Sequence, residues 1–147
     1  MNKKRNNKGF SLVELIVVIA IMAVLVVVLA PAYTRYVEKS RVQKDISAVG
    51  EVVSAIKVAA ADMDVADELE TATTLTVTTG IAGAGEKLDA ELDATVGEVE
   101  LQSKTLKDGV QIVVSVDGDG VVSIAVTAKG TVDATVSADL AKLDTGN

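Results

Sequence analysis

The strongest pattern in the sequence is an apolar run without a charged residue from Leu15 to Ala30, within a longer apolar stretch from Phe10 to Ala32. A stretch of 23 residues would be roughly 34 Å long as a helix, which is enough to span a bilayer. Pro31 lies near its end, and its missing amide hydrogen and its ring are expected to kink or break the helix there.

Beyond Pro31 the apolar positions recur at alternating steps of four and three, as on one face of a helix. We therefore predict that the helix continues to Ala61. Arg41, Lys44, Asp45, Glu51 and Lys57 are assigned to its other faces. The apolar positions on this face form a stripe, which could drive a coiled-coil dimer. Packing of the stripe against a sheet of the same chain is favoured, because strand-like segments follow. The stripe consists of Val42, Ile46, Val49, Val53, Ile56, Ala60 and Met63.

The second half of the chain contains short β-branched runs that predict strands. Val110 to Val116 and Val121 to Ala128 are the strongest, and Asp117-Gly118-Asp119-Gly120 between them is typical of a hairpin turn. Weaker signals predict further elements: strands at Leu75 to Thr79, Val99 to Ser103 and Thr131 to Val136, a helix at Glu86 to Ala94, and a helix at Ser137 to Leu143 capped by Ser137. The predicted fold class is α+β, with a long protruding N-terminal helix packed on a small antiparallel sheet.

Composition argues against an enzyme. The 147 residues include no His, no Cys and no Trp, so the commonest general base and the thiolate metal ligands are missing. Asp117 and Asp119 invite a calcium interpretation, but the further acids of an EF-hand loop are absent, and a plain turn is favoured. We predict no cofactor and no metal.

Charge is unevenly distributed along the chain. Four cations give the first nine residues +4, and the formal net charge is −7, so residues 10–147 carry −11. Residues 62–100 alone contain eleven acids and one lysine. An acidic surface of this kind repels a phosphate backbone, so the bulk surface is not expected to bind nucleic acid.

A basic leader before an apolar stretch is a targeting signal, and three interpretations are open. An ordinary secretory signal would be cut after Ala32, at the Ala30-Pro31-Ala32 sequence, but the acidic Glu14 before its apolar core would be unusual. A plain membrane anchor is the second. The third interpretation is a specialised signal that is cut before the apolar stretch. It rests on the seven-residue sequence K-G-F-S-L-V-E at residues 8–14 and on the apolar run through Pro31 and Tyr33.

These residues resemble the class III signal of type IV pilins and the related pseudopilins, over about the first 36 residues. The resemblance implies cleavage by a membrane peptidase between Gly9 and Phe10, methylation of the new amine of Phe10, and pairing of that amine with Glu14 of a neighbouring subunit during assembly. Ser11 and Glu14 also fit a capping box within one chain, so Glu14 has both interpretations. The resemblance also places a helix kink at Pro31.

The pilin resemblance divides the chain into a cleaved leader (1–9), a long helix (10–61), an acidic connecting loop (62–96) and a sheet head (97–147). Within the helix, residues 10–32 would be the membrane and filament core, and residues 33–61 the amphipathic part. The implied function is a structural subunit, a major pilin, of a type IV pilus. Its precursor would be a single-pass protein of the cytoplasmic membrane, and its filament would be extracellular. Adhesion, twitching motility, DNA uptake and biofilm formation all use subunits of this design, and the sequence does not choose among these roles.

The implied partners are copies of the same chain, the prepilin peptidase and methyltransferase, and an assembly platform with its ATPase. The alternatives are a pseudopilin of a type II secretion or competence apparatus and a membrane-anchored surface binding module.

Overall fold

The computed structural model describes residues 10–144 except 70, 118 and 120. Its first element is helix α1, Leu12–Ala59, and the residues divide into two compact units between Val37 and Glu38. The remaining helices are α2 (Met63–Ala66), α3 (Glu86–Thr95) and α4 (Ala134–Ala141), with a 3₁₀ turn at Asp67–Leu69. The strands are β1 (Thr73–Thr78), β2 (Gly80–Ala82), β3 (Val110–Val116) and β4 (Val122–Ala128).

The described part of the first unit consists of the N-terminal part of α1. The helix passes through Pro31 without a break, so the expectation of a helix break there is wrong. Proline has no amide hydrogen, so the carbonyl of Val27, one turn earlier, loses its helical donor. The Thr34 hydroxyl donates to the carbonyl of Pro31 itself at 3.1 Å. A bend at Pro31 stays a prediction.

The second unit is a four-stranded antiparallel sheet in the order β2-β1-β3-β4, with α1 residues packed in its core. Ile112 of β3 is the central position, with Leu75 of β1 on one side and Val126 of β4 on the other. The prediction that the helical stripe packs on the chain's own sheet is confirmed. Six stripe positions are buried, namely Val42, Ile46, Val49, Val53, Ile56 and Ala60, whereas the side chain of Met63 lies outside the described residues.

The predicted β3–β4 hairpin is confirmed, as are the strand at β1 and the helix at α3. Asp117 Oδ1 accepts hydrogen bonds from the amides of Asp119 (3.0 Å) and Val121 (2.8 Å), which is how the turn is held. The sequence did not indicate β2. Because β1 and β2 both belong to the sheet, the stretch assigned to a connecting loop contributes to the head, and the domain boundaries stay a prediction.

Three local predictions are wrong. Val99 to Ser103 is not a strand: one bridge pairs Thr79 with Glu100, and the Leu101 amide donates to the Thr78 carbonyl at 2.9 Å. The amides of Gln102 and Ser103 then donate to the side chain of Asp45 on α1. The region Thr131 to Val136 has no strand either. Asp133 accepts a hydrogen bond from the Thr135 amide at 2.6 Å and thereby begins α4, so the cap of this helix is Asp133 and not Ser137.

Candidate processing and assembly segment

The start of α1 is fixed by a local cap. The Ser11 amide donates to Glu14 Oε2 at 2.9 Å, and the Val13 amide donates to Ser11 Oγ at 3.3 Å. In a standard capping box the serine oxygen accepts from the amide of the acid itself. Here the Ser11 oxygen accepts from the amide of Val13, one residue before Glu14, while the Glu14 carboxylate accepts from the Ser11 amide as in the standard box. The capping interpretation of Ser11 and Glu14 is therefore realised within a single chain, with this variation.

Two of the predicted site residues lie at this start of α1. Phe10 is 91% exposed and directly precedes the cap. Glu14 is also exposed, and its carboxylate is held toward the N-terminal end of the helix. Gly9 lies outside the described residues. Cleavage at Gly9–Phe10, methylation of Phe10 and pairing between subunits stay predictions.

Every large apolar side chain from Leu12 to Leu29 is exposed, by 45–73%. The mean hydropathy over an 18-residue window of α1 is 3.3, and the helix is long and apolar enough to cross a membrane. A continuous apolar surface of this size is unstable in water. The segment therefore requires a cover of lipid or of other protein chains.

A second feature of α1 is a pair of carboxylates that hold one loop, and we call it the carboxylate clamp. Asp45, which is 1% exposed, accepts from the amides of Gln102 at 2.9 Å and Ser103 at 2.8 Å. One Glu38 oxygen accepts from both the amide and the hydroxyl of Thr105 at 3.0 Å. The clamp fixes the segment that leads into β3 against α1.

Sequence reasoning missed the clamp because it assigned Asp45 to a polar face. The spacing did contain the signal, since Asp45 comes three residues after Val42 and four before Val49, both on the buried stripe. An acid at a buried position requires hydrogen-bond donors. Here backbone amides supply them, and a sequence does not reveal which ones.

The C-terminal helix is attached to α1 by a polar contact. Asp139 accepts hydrogen bonds from Lys142 and from Gln43, whose amide nitrogen lies 3.4 Å away. These two bonds, the lysine first, hold the pKa of Asp139 below its ordinary value. Leu140 beside it is fully buried.

Among the residues that the structure describes, no three His, Cys, Asp or Glu side chains group in a way that could hold a metal ion. Asp117, considered above for calcium, instead uses a carboxylate oxygen for its own turn.

Comparison with known proteins points to the same segment. The family described as the prokaryotic N-terminal methylation motif matches residues 4–30. Two relatives from Dichelobacter nodosus, both named type IV major fimbrial protein FimA, are 37% identical over 44% of this chain and 36% identical over 40% of it. The chain spans about two fifths of the length of these relatives (41% and 38%). No solved structure matches significantly.

The matched motif covers residues 4–9 of the leader together with Phe10 and Glu14, and the described fold joins a long N-terminal helix to a small antiparallel sheet. The chain therefore has the N-terminal segment of a type IV prepilin on a pilin-like α+β fold.

Proposed function

We propose that this chain is the precursor of a major pilin, a structural subunit that polymerises into a type IV pilus. The observation that carries the proposal is the methylation motif over residues 4–30, joined to a helix whose apolar surface is exposed. The relatives named as major fimbrial proteins support a pilin over a pseudopilin. The role is structural and not enzymatic.

The leader sets the first step of the proposed pathway. Its cations hold the N-terminus in the cytoplasm while the apolar N-terminal part of α1 spans the membrane. A prepilin peptidase cuts between Gly9 and Phe10, where glycine leaves a narrow cleft unobstructed. The same enzyme methylates the Phe10 amine. Removal of the +4 leader then allows an assembly platform and its ATPase to draw the helix out of the lipid.

In the filament, the exposed apolar segment of α1 from Leu12 to Leu29 exchanges lipid for the same segment of other copies, and the heads form the surface. Glu14 of one copy pairs with the Phe10 amine of the next, because an α-amine is mostly cationic at neutral pH. Leaving either charge unpaired in an apolar bundle is costly, so the pair fixes the register between subunits.

The two interpretations of Glu14 can be separated by two variants. Glu14→Gln keeps an oxygen that accepts from the Ser11 amide, so the cap survives while the charge is lost. Glu14→Val removes both. Subunit pairing predicts that both variants are processed normally and assemble poorly. Normal filament yield from Glu14→Gln together with a loss in Glu14→Val would leave only the capping role.

The function itself is tested on material sheared from the cell surface, pelleted, and analysed for intact mass and N-terminal sequence. An abundant chain that starts at methylated Phe10 in pelletable fibres is expected. A chain that starts at Phe10 but stays with the cells would indicate a pseudopilin or a minor subunit. An intact Met1 would indicate an anchored module, and a start at Tyr33 would indicate a secreted domain.

A further inference from the structure

The sheet of the second unit turns one face toward α1, and we call the opposite one the outer face. Side chains alternate between the two faces along each strand. On β3, Ile112 and Val114 are buried in the core that includes α1, whereas Val113 between them is 36% exposed. By the same alternation, the outer face consists of the even-numbered residues of β1 and the odd-numbered residues of β3 and β4. None of these nine residues is buried.

The register of the strands makes the outer face a regular array. Val113 lies opposite Thr74 of β1 on one side and opposite Ala125 of β4 on the other. Neighbouring strands are about 4.8 Å apart, and every second residue along a strand points to the same face. The array therefore has three strands with three residues on each, and Val113 is at its centre.

The chemistry of the outer face differs from that of the rest of the chain. Its nine residues are four threonines, two serines, one glutamine, one valine and one alanine, so it carries no charge. Residues 10–147 together carry −11. Within the described part of the chain, none of the seven polar side chains on this face has a side-chain hydrogen bond. The outer face is therefore a neutral surface on an acidic protein, and its hydroxyl and amide groups are free to bond to a partner.

These groups make the outer face complementary to itself. A hydroxyl both donates and accepts, and a glutamine amide does the same through its two ends. A contact between two copies of one patch joins like residues to like, so it requires a self-complementary surface. A patch of one charge does not meet this requirement, whereas a patch of hydroxyl, amide and methyl groups does.

We propose that the outer face is the surface through which two filaments adhere side by side, the outer face of a copy in one against that of a copy in the other. The inference rests on the proposed function, which places the heads at the filament surface. Two acidic filaments repel each other. Contact through the outer face brings them together where neither one carries a charge.

The size of the outer face indicates why whole filaments, and not free chains, are the partners. A stable protein interface takes roughly 20–30 residues from each side, and the outer face offers nine. A single contact is therefore weak. Two filaments bring many copies into contact at once, and the many weak contacts act together.

Sedimentation of sheared filaments tests the contact, since bundles pellet at low speed and single filaments only at high speed. We expect unaltered filaments to pellet largely at low speed and to form side-by-side bundles in electron micrographs. Val113→Glu and Val113→Lys each place like charges against each other at the centre of the contact. Each variant should lower the bundled fraction about tenfold, because the loss at one contact repeats along the filament. The total filament pelleted at high speed should not change.

Mixing the two variants gives the decisive readout. When Val113→Glu and Val113→Lys filaments carry different fluorescent labels, bundles that contain both labels should form, because opposite charges now meet. Their formation would also show that both variants fold and assemble. Ser137→Glu and Ser137→Lys are the matched controls. Ser137 is exposed on α4, which contacts α1 through Asp139 and Gln43 and so lies away from the outer face. These controls should leave the bundled fraction unchanged.

The outcomes separate this inference from the proposed function. If the unaltered chain forms no filament, the proposed function fails and the contact with it. If it forms filaments, the contact is refuted by the absence of bundles, by normal bundling of both Val113 variants, by an equal loss in the Ser137 controls, or by a mixture that does not bundle. Binding of unaltered filaments to cellulose particles that Val113→Glu abolishes, with bundling unchanged, would assign the outer face to a neutral polysaccharide and would also refute the contact.

Discussion

Removal of the Asp45 carboxylate should destabilise the second unit more than removal of any exposed acid on the same helix. Asp45→Ala deletes the acceptor for the amides of Gln102 and Ser103, and both amides lose their partner at once. The Ser103 amide is in the more demanding position, since that residue is 2% exposed and water does not reach it readily.

The magnitude follows from the two bonds. A hydrogen bond to a charged group contributes about 1.5–3 kcal/mol net, and the half-buried Gln102 amide recovers part of this from water. We therefore expect Asp45→Ala to lower the free energy of unfolding by about 2–4 kcal/mol, against a total of about 5–15 kcal/mol for a domain of this size. A loss near 3 kcal/mol corresponds to a fall in Tm of roughly 10–20 °C.

Glu51→Ala is the matched control, because Glu51 is an exposed acid on the same helix. Its effect should stay within about 0.5 kcal/mol. The assay is thermal unfolding of the full chain in mild detergent, together with hydrogen exchange measured on peptides that cover residues 101–106. Asp45→Ala should accelerate exchange at Gln102 and Ser103 before the sheet opens, since the loop loses its attachment to α1.

Equal shifts in Tm for Asp45→Ala and Glu51→Ala would refute the reasoning, as would unchanged exchange over residues 101–106. Asp45→Asn should give an intermediate loss in the free energy of unfolding. It keeps one acceptor oxygen but turns an amide group toward one of the backbone donors, so its cost should lie between those of the alanine variant and the unaltered chain.

Further predictions concern three other positions. Replacing Gly9 by a bulky residue such as leucine should leave precursor of full mass in the membrane, and mature protein at normal levels would refute the cleavage site. Asp133→Ala should fray α4, as followed by its backbone chemical shifts. Because the Thr135 bonds lower the pKa of Asp133, this cap contributes above the ordinary value of about 3.9 and is lost as the pH falls through the lowered pKa. The difference between Asp133→Ala and the unaltered chain should therefore vanish at the acid end of a titration. Gly109→Ala should lower Tm, since φ is +99° and a Cβ would lie 2.6 Å from the methyl carbon of Thr78; an unchanged Tm would contradict the strain expected at this backbone position.

The sequence by itself determined the elements that depend on neighbours along the chain. The long helix follows from an unbroken apolar run and a stripe at steps of three and four, both of which need only helical periodicity. The β3–β4 hairpin follows from two β-branched runs joined by Asp117 to Gly120. The N-terminal methylation motif was also recognisable from the sequence, because it is contiguous, and the family comparison matches it over residues 4–30.

Tertiary structure decided what depends on residues far apart. The position of β1 between β2 and β3 is set by pairing across more than thirty residues, such as Leu75 with Ile112, and no local signal encodes that choice. Val99 to Ser103 has strand-like residues, but its last amides find the carboxylate of Asp45 instead of a neighbouring strand.

Asp45 also shows what a sequence pattern does not reveal. Its spacing placed it on the buried stripe, yet its burial is tolerable only because the Gln102 and Ser103 amides meet it there. A periodic pattern states which face of a helix is covered, whereas the fold alone brings the donors that a buried charge requires.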